Sequence, residues 1–434
     1  MNMSKWWIEN GTFVTMDEAQ PVVRGHMVVD GDRIVYIGEE RPQEADAISV
    51  RIDGSRRVYM PGLINTHGHA AMSLLRGFSD DEALQTWLQD YMWPMEAKFT
   101  DVDVKWGTSL AVLEMLKSGT TTFVDMYDRM DQVAQVVERS GMRGVLMRGA
   151  IGLCPEEVQR EKLAEAVQFA KDWNGAADGR IATMMSPHAP YTCPPAFIEA
   201  FVQAAHDLDL PMHTHMSETR AEVEQNLREY GLRPVAHLDR LGLFSRPSFV
   251  AHAVHLTDEE IALLAERGVA VSHNPASNLK LASGVARVPE LLKAGVAVSL
   301  GTDSAASNNN LDLFDEIRLA ALVHKGVSGD PTVVPAMQAL QLATLGGAAT
   351  IRQPELGALK AGLKADFISL DADQPHFYPR TDIVSHLVYS ASGRDVRDVW
   401  VDGRQVVQGG VCLLLDEEKI LAEAEACYRR LAGA

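Results

Sequence analysis

The chain predicts a (β/α)8 TIM-type barrel carrying a small β-sandwich domain built from both termini. Three observations carry this expectation. Eight strand-like apolar runs recur between residues 57 and 303, and stretches of helical period separate most of them. Several of these runs finish on a histidine or an aspartate, from His67 to Asp303. Polar groups at the ends of separate strands converge only if the strands close into a ring, and a barrel's carboxyl end is where chemistry gathers. Short strands with tight turns occupy both ends of the chain, with a different rhythm from the middle.

Residues 1–60 read as the N-terminal part of the small β domain. Gly31-Asp32-Arg33 lies between His26–Asp30 and Ile34–Ile37, a hairpin signature. The barrel is expected over residues 61–362. Its candidate strands are Arg57–Asn65, Thr121–Met126, Gly144–Gly149, Arg180–Pro187, Leu210–His215, Ser248–His252, Val269–His273 and Val296–Asp303. Asp101–Ser118 and Pro195–Leu208 are typical intervening helices. A doubly wound sheet is the rival fold, but no GxGxxG follows a strand. Residues 363–434 return to the small domain. Ala365–Leu370 and Val396–Val401 are strand-like, Asp402-Gly403 is a turn, and a helix over about Asp416–Leu431 closes the chain.

With 434 residues, 46% apolar and 23% charged, the composition is that of a globular protein. A net charge of -19 repels phosphate backbones, so no nucleic-acid partner is expected, although a nucleoside pocket remains compatible. Cys154, Cys193, Cys412 and Cys427 are far apart and form no CxxC pair, which fits a reducing compartment. Met1–Glu9 lacks the apolar core of a signal peptide, and no run of about 18 apolar residues is present. A cytoplasmic location and no membrane contact are therefore expected.

The strand ends suggest a metal site that activates water. His67 and His69 are two apart, so an extended backbone sends both imidazoles to one face. His215 ends the fifth strand, and Glu218 lies three residues on, where a carboxyl group can shuttle a proton beside the ion. His213 shares the face of His215; it is an alternative ligand, read here as a deeper supporting histidine. His252 ends the sixth strand and takes a catalytic role, with His255 as structural support. His188 closes the fourth strand. Asp303 closes the series, and a carboxylate can both bind zinc and take a proton from bound water.

These residues sit in segments that resemble the amidohydrolase superfamily, in particular its cytosine- and adenosine-deaminase-like branch. The matching segments are PGLINTHGHAAMSLLRG (61–77), SGTTTFVDM (118–126), SPHAPYTC (186–193), HTHMSETRAE (213–222), AHAVHL (251–256), VSHNPASNLKLASG (271–284), LGTDSAASNNNLDLFDEIR (300–318), ATLGGAAT (343–350) and GALKAGLKADFISLD (357–371). They are most similar to the 5-methylthioadenosine/S-adenosylhomocysteine deaminases. The resemblance implies metal ligation by His67, His69, His215 and Asp303, a proton shuttle at Glu218 and a hydroxide-orienting His252. It implies nucleoside contacts from Glu96, Arg148 and His188, with Trp87 as a further candidate and with Glu218 and Asp303 reaching the substrate. Taken alone, Glu96 reads as a solvated helix carboxylate and Arg148 equally as a barrel-rim ion pair.

Relatives with two metals bridge them through a carboxylated lysine on the fourth strand. Arg180–His188 contains no lysine, so one ion per chain is implied, zinc or alternatively Fe2+. The implied reaction is hydrolytic deamination of an adenine nucleoside (S-adenosylhomocysteine, 5'-methylthioadenosine or adenosine) to the inosine analogue and ammonia. A related hydrolase acting on guanine or a triazine is the near alternative, and a catalytically silent barrel scaffold is the distant one. The preferred substrate, the native metal and any homo-oligomer are not legible in the residues.

Overall fold

The protein is described here by a computed structural model covering residues 5–433. Met1–Ser4, part of the segment read as lacking a leader, and Ala434 lie outside the described residues. Eight parallel strand positions form the barrel. Leu63–Asn65, Thr120–Tyr127, Arg143–Ala150 and the short pair Ile181–Thr183 and Ser186–Pro187 make one run. Met212–Met216, Ser248–His252, Ala270–His273 and Val298–Leu300 make the other.

Backbone hydrogen bonds close both seams. Met185 bridges Met212, and the His215 N–H donates to the His188 carbonyl at 3.0 Å. On the other side the Thr66 N–H donates to Leu300 at 3.0 Å, and the Asp303 N–H to His67 at 2.9 Å. Both seams therefore run through residues the sequence singled out. Ile64, Val124, Val145, Met147, Met184 and Phe249 pack in one buried cluster, distinct from the larger one between strands and helices.

Three of the expected strands are broken or end early, and most others shift by one or two residues. The apolar run Arg57–Asn65 is two strands. Arg57–Pro61 joins the small domain, between Trp6–Val14 and Phe367–Asp371, and Leu63–Asn65 enters the barrel. Gly62 sits at the change of sheet, where an added Cβ would lie 2.2 Å from Thr121 Oγ1. Hydrophobicity is continuous across the break because both strands are buried. The run Arg180–Pro187 is likewise interrupted after Thr183, and the run from Val296 leaves strand geometry after Leu300. Asp303 thus stands on a loop rather than on the last strand residue.

Strands from both ends of the chain share one nine-stranded sheet. It curls around Phe13, Tyr59, Phe367 and Trp400, with Phe367 stacked on Trp400 at a centroid distance of 4.4 Å. The curl brings two hairpin turns together. A Cβ on Gly403 would lie 2.0 Å from the Gly31 carbonyl, so this turn requires glycine. The terminal helix Glu417–Ala432 packs on Asp101–Lys117, where Arg430 pairs with the buried Asp103. Among the described residues no helix is long and apolar enough to cross a membrane.

Candidate active site

Each candidate metal-facing histidine is held from behind. His69 Nδ1 lies 2.6 Å from the Met126 carbonyl, and His215 Nδ1 lies 2.8 Å from the His188 carbonyl. A carbonyl can only accept, so both Nδ1 atoms donate and both Nε2 atoms carry lone pairs. His67 is reached one step later. His213 Nδ1 donates to the Phe249 carbonyl at 3.1 Å, which leaves His213 Nε2 to accept from His67 Nδ1 at 3.3 Å. His67 Nε2 is then a third lone pair. His213 thus stands behind His67, between it and the Phe249 carbonyl.

These lone pairs face one another. His69 and His215 Nε2 are 3.3 Å apart, and Asp303 Oδ1 is 3.4 Å from His69 Nε2 and 3.5 Å from His67 Nε2. His67 Nε2 is fully buried with no hydrogen-bond partner. Burial pulls the His67 imidazole down to about 4, and holds His215 and His213 well below the usual range, so protons do not satisfy the cluster near neutrality. Inward-facing neutral imidazoles beside a carboxylate repel one another unless a cation stands between them. The arrangement fits a divalent metal. His67, His69 and Asp303 form one such group, and His67, His215 and His252 form another.

Asp303 is anchored by neighbours that sequence reasoning did not single out. Its Oδ2 accepts from Ser277 at 2.6 Å and Ser307 at 3.0 Å, and its Oδ1 from the Ser304 N–H at 2.8 Å. Burial opposes its ionisation, and these three donors favour the charged carboxylate. His252 Nδ1 contacts Asn278 Oδ1 at 2.8 Å, and its Nε2 lies 3.7 Å from Glu218 Oε2. Burial raises the Glu218 carboxyl above its usual range, so it can hold a proton. Ser217, His252, Ala253 and Asp303 all have positive φ, from 47° to 75°. Such backbone is costly for residues with a Cβ and concentrates where a site demands it.

The histidines and acids open on a cleft of about 420 Å3. Glu96, Arg148, His188, Trp87, Glu218, His252 and Asp303 all line it, while His67 lies beneath. Glu96 accepts from the Tyr127 hydroxyl at 2.6 Å, and burial pushes its carboxyl up to about 7. It is therefore a cleft-wall carboxylate and not the solvated helix residue its local sequence suggests. Trp87 is buried on a widened helical turn, its indole N–H donating to the Ser79 carbonyl at 3.1 Å. His188 Nδ1 contacts Thr192 Oγ1 at 2.9 Å. Arg148 lies at the rim, paired with Asp128 at 3.1 Å and Glu165 at 3.3 Å, so both readings of it meet in one place. His255 stands outside the cleft lining, its Nε2 2.8 Å from the Ser283 carbonyl. Ser277, Asn278 and Ser307 are the supports sequence reasoning missed. The only available signal was their density in the polar segments after the seventh and eighth strands.

The comparisons with known proteins point the same way. The model of the amidohydrolase family matches residues 58–406. A Halalkalibacterium halodurans protein named 5-methylthioadenosine/S-adenosylhomocysteine deaminase is 49% identical over 430 residues, covering 98% of each chain. One of the same name from Dictyoglomus thermophilum is 52% identical over 380 residues, covering 88% of this chain and 89% of its own. Among solved structures, an adenosine deaminase from Xanthomonas campestris with bound zinc superimposes with a TM-score of 0.92 at 35% identity, covering 99% of both chains. An Arthrobacter aurescens atrazine chlorohydrolase complexed with zinc gives 0.89 at 26% identity, covering 98% of this chain and all of its own. With its barrel, its converging donors and a family match over most of its length, this chain belongs to the amidohydrolase family of metal-dependent hydrolases.

Proposed function

We propose that this chain is a zinc-dependent aminohydrolase that converts adenine nucleosides, S-adenosylhomocysteine and 5'-methylthioadenosine foremost, to their inosine analogues with release of ammonia. His67, His69, His215 and Asp303 would hold a single ion. When bound, such an ion supplies water activated near neutral pH. Asp303 accepts the proton of that water, since its carboxylate stays ionised. His252, fixed through Asn278, orients the attacking oxygen. Glu218, whose carboxyl burial shifts upward, would deliver a proton to ring N1 and make C6 electrophilic. Asp303 would then pass its proton to the amino group, the C6–N bond would break to release ammonia, and the C6 hydroxyl would return its proton to Glu218 as the carbonyl forms. Glu96 would accept from sugar hydroxyls, His188 and Trp87 would contact the nucleoside, and Arg148 would meet a substrate carboxylate.

One observation carries this reading: Glu218 sits beside the histidine cluster, on the wall of a cleft large enough for a nucleoside. A metal-storing scaffold would not need that acid. The triazine reading draws on triazine hydrolases, which share the fold at 26% identity with a TM-score of 0.90. Relatives at 49% and 52% identity favour the nucleoside. Steady-state ammonia release from S-adenosylhomocysteine, methylthioadenosine, adenosine, guanine and melamine decides between them. Turnover of only a free base or a triazine would overturn the proposal.

A further inference from the structure

Two helices of this barrel begin on Thr-x-x-Glu, and they use the glutamate differently. At Asp258–Arg267 the cap is reciprocal: Thr257 Oγ1 accepts from the Glu260 N–H at 3.3 Å, and the Glu260 carboxylate accepts from the Thr257 N–H at 2.9 Å. At Arg220–Tyr230 only half of that exchange occurs. Thr219 Oγ1 accepts from the Glu222 N–H at 3.2 Å, but the Glu222 carboxylate does not return to Thr219. Its two oxygens accept instead from the backbone N–H groups of Ser217 and Glu218, each at 2.7 Å. The carboxylate has moved one and two residues upstream, onto the backbone of Glu218 itself.

The segment it grips is strained and shared. Ser217 has φ of 52°, and its carbonyl accepts from Val254 and His255 just beyond His252. Glu222 is 1% exposed and does not line the cleft. A glutamate serving only the helix would return to the Thr219 N–H, as the other helix's glutamate does to its equivalent. Burial pushes the Glu222 carboxyl up to about 7 while the two amides pull it down, and two short bonds to consecutive amides hold the left-handed turn in place.

We propose that Glu222 is a positioning residue for the proton transfer: its bidentate grip on the Ser217 and Glu218 amides aims the Glu218 carboxyl at the substrate ring. This rests on the reading of Glu218 as proton carrier. Glu222→Gln keeps the size and the Thr219 cap, but turns one acceptor into an NH2 facing an N–H. We expect kcat to fall about 10- to 100-fold, the usual scale for an outer support, with KM within about threefold and metal per chain unchanged. Glu222→Asp, one methylene shorter and still a two-oxygen acceptor, should fall between wild type and Gln, and it carries the same test if the Gln variant does not fold. In a Glu218→Gln background either substitution should cost nothing more, because both act on one proton. A kcat within about twofold of wild type, a loss that adds fully to that of Glu218→Gln, or a fall that tracks lost metal would each overturn the proposal. An active wild type with an unaffected Glu222→Gln retires this proposal alone, whereas an inactive wild type retires the deaminase reading and this proposal with it.

Discussion

Among the described residues, two groups of buried histidines lie in mutual contact, and only one of them has the geometry of a metal site. His273 ends its strand as His252 does, is 1% exposed, and has its Nε2 3.2 Å from Nε2 of His324 on the helix Leu313–Ser328. His67, His69 and His215 are comparably close. The surroundings differ. Around His67 the rear nitrogens are occupied by carbonyls or by His213, so the front nitrogens must all be lone pairs, and Asp303 adds a charge. His273 Nδ1 has no partner, so the ring is free to choose its tautomer and one imidazole can donate to the other. Among the described residues neither ring of that pair hydrogen-bonds a carboxylate, and neither lines the cleft. A strand-end histidine is therefore not enough. Locked tautomers, a carboxylate and adjoining open space together make a metal site.

Breaking the first cluster should have the largest effect. His215→Ala, or prolonged chelation, should remove the bound metal and bring ammonia release below detection. Metal analysis beside the assay checks this, and readdition of zinc should restore only the chelated wild type. Glu218→Gln should cost about 10²- to 10⁴-fold in kcat, the range of general acid–base catalysis, with metal still bound. Asn278→Ala frees the rear of His252 and should cost about 10- to 100-fold, again without metal loss.

The second pair should respond through stability. Burial lowers the His324 imidazole to about 4, against about 6.5 in an unfolded chain, so the folded state prefers it neutral. That contribution is complete above about pH 6.5 and fades as pH falls toward 4, by roughly 3 kcal/mol at most. Denaturant titrations at pH 7 and pH 5 should show a smaller acid loss for His324→Phe than for wild type. An equal loss in both would remove His324 as a source of acid sensitivity. At pH 7 the same variant should keep kcat within about twofold, which is the smallest effect in this series and the sharpest contrast with His215→Ala.

Much of this was legible before any coordinates. The strand Ser248–His252, the helix Pro195–Leu208 and the strand Val396–Val401 have the bounds their periodicity predicts. The HxH spacing placed His67 and His69 on one face, and the strand-end series pointed to Asp303. What escaped was not carried by local pattern. The apolar run through Gly62 conceals a change of sheet, since burial on either side looks alike in one dimension. Glu96 reads as a solvated carboxylate until Tyr127, 31 positions away, is seen against it. His273 has the same strand-end signature as the site histidines and none of their partners.

The residues alone determined the alternation of strand and helix, the meeting of the two termini in one β domain, and which imidazoles and acids stand at strand ends. These follow from period, side-chain type and turn chemistry, all short-range properties of the chain. Tertiary structure decided which lone pairs face each other, which carboxyls burial pushes upward, and that Glu222 abandons its own helix cap for the backbone of Glu218. Those outcomes depend on hydrogen bonds and desolvation between segments far apart in the chain, such as His67 and Asp303, and such contacts exist only once the ring has closed.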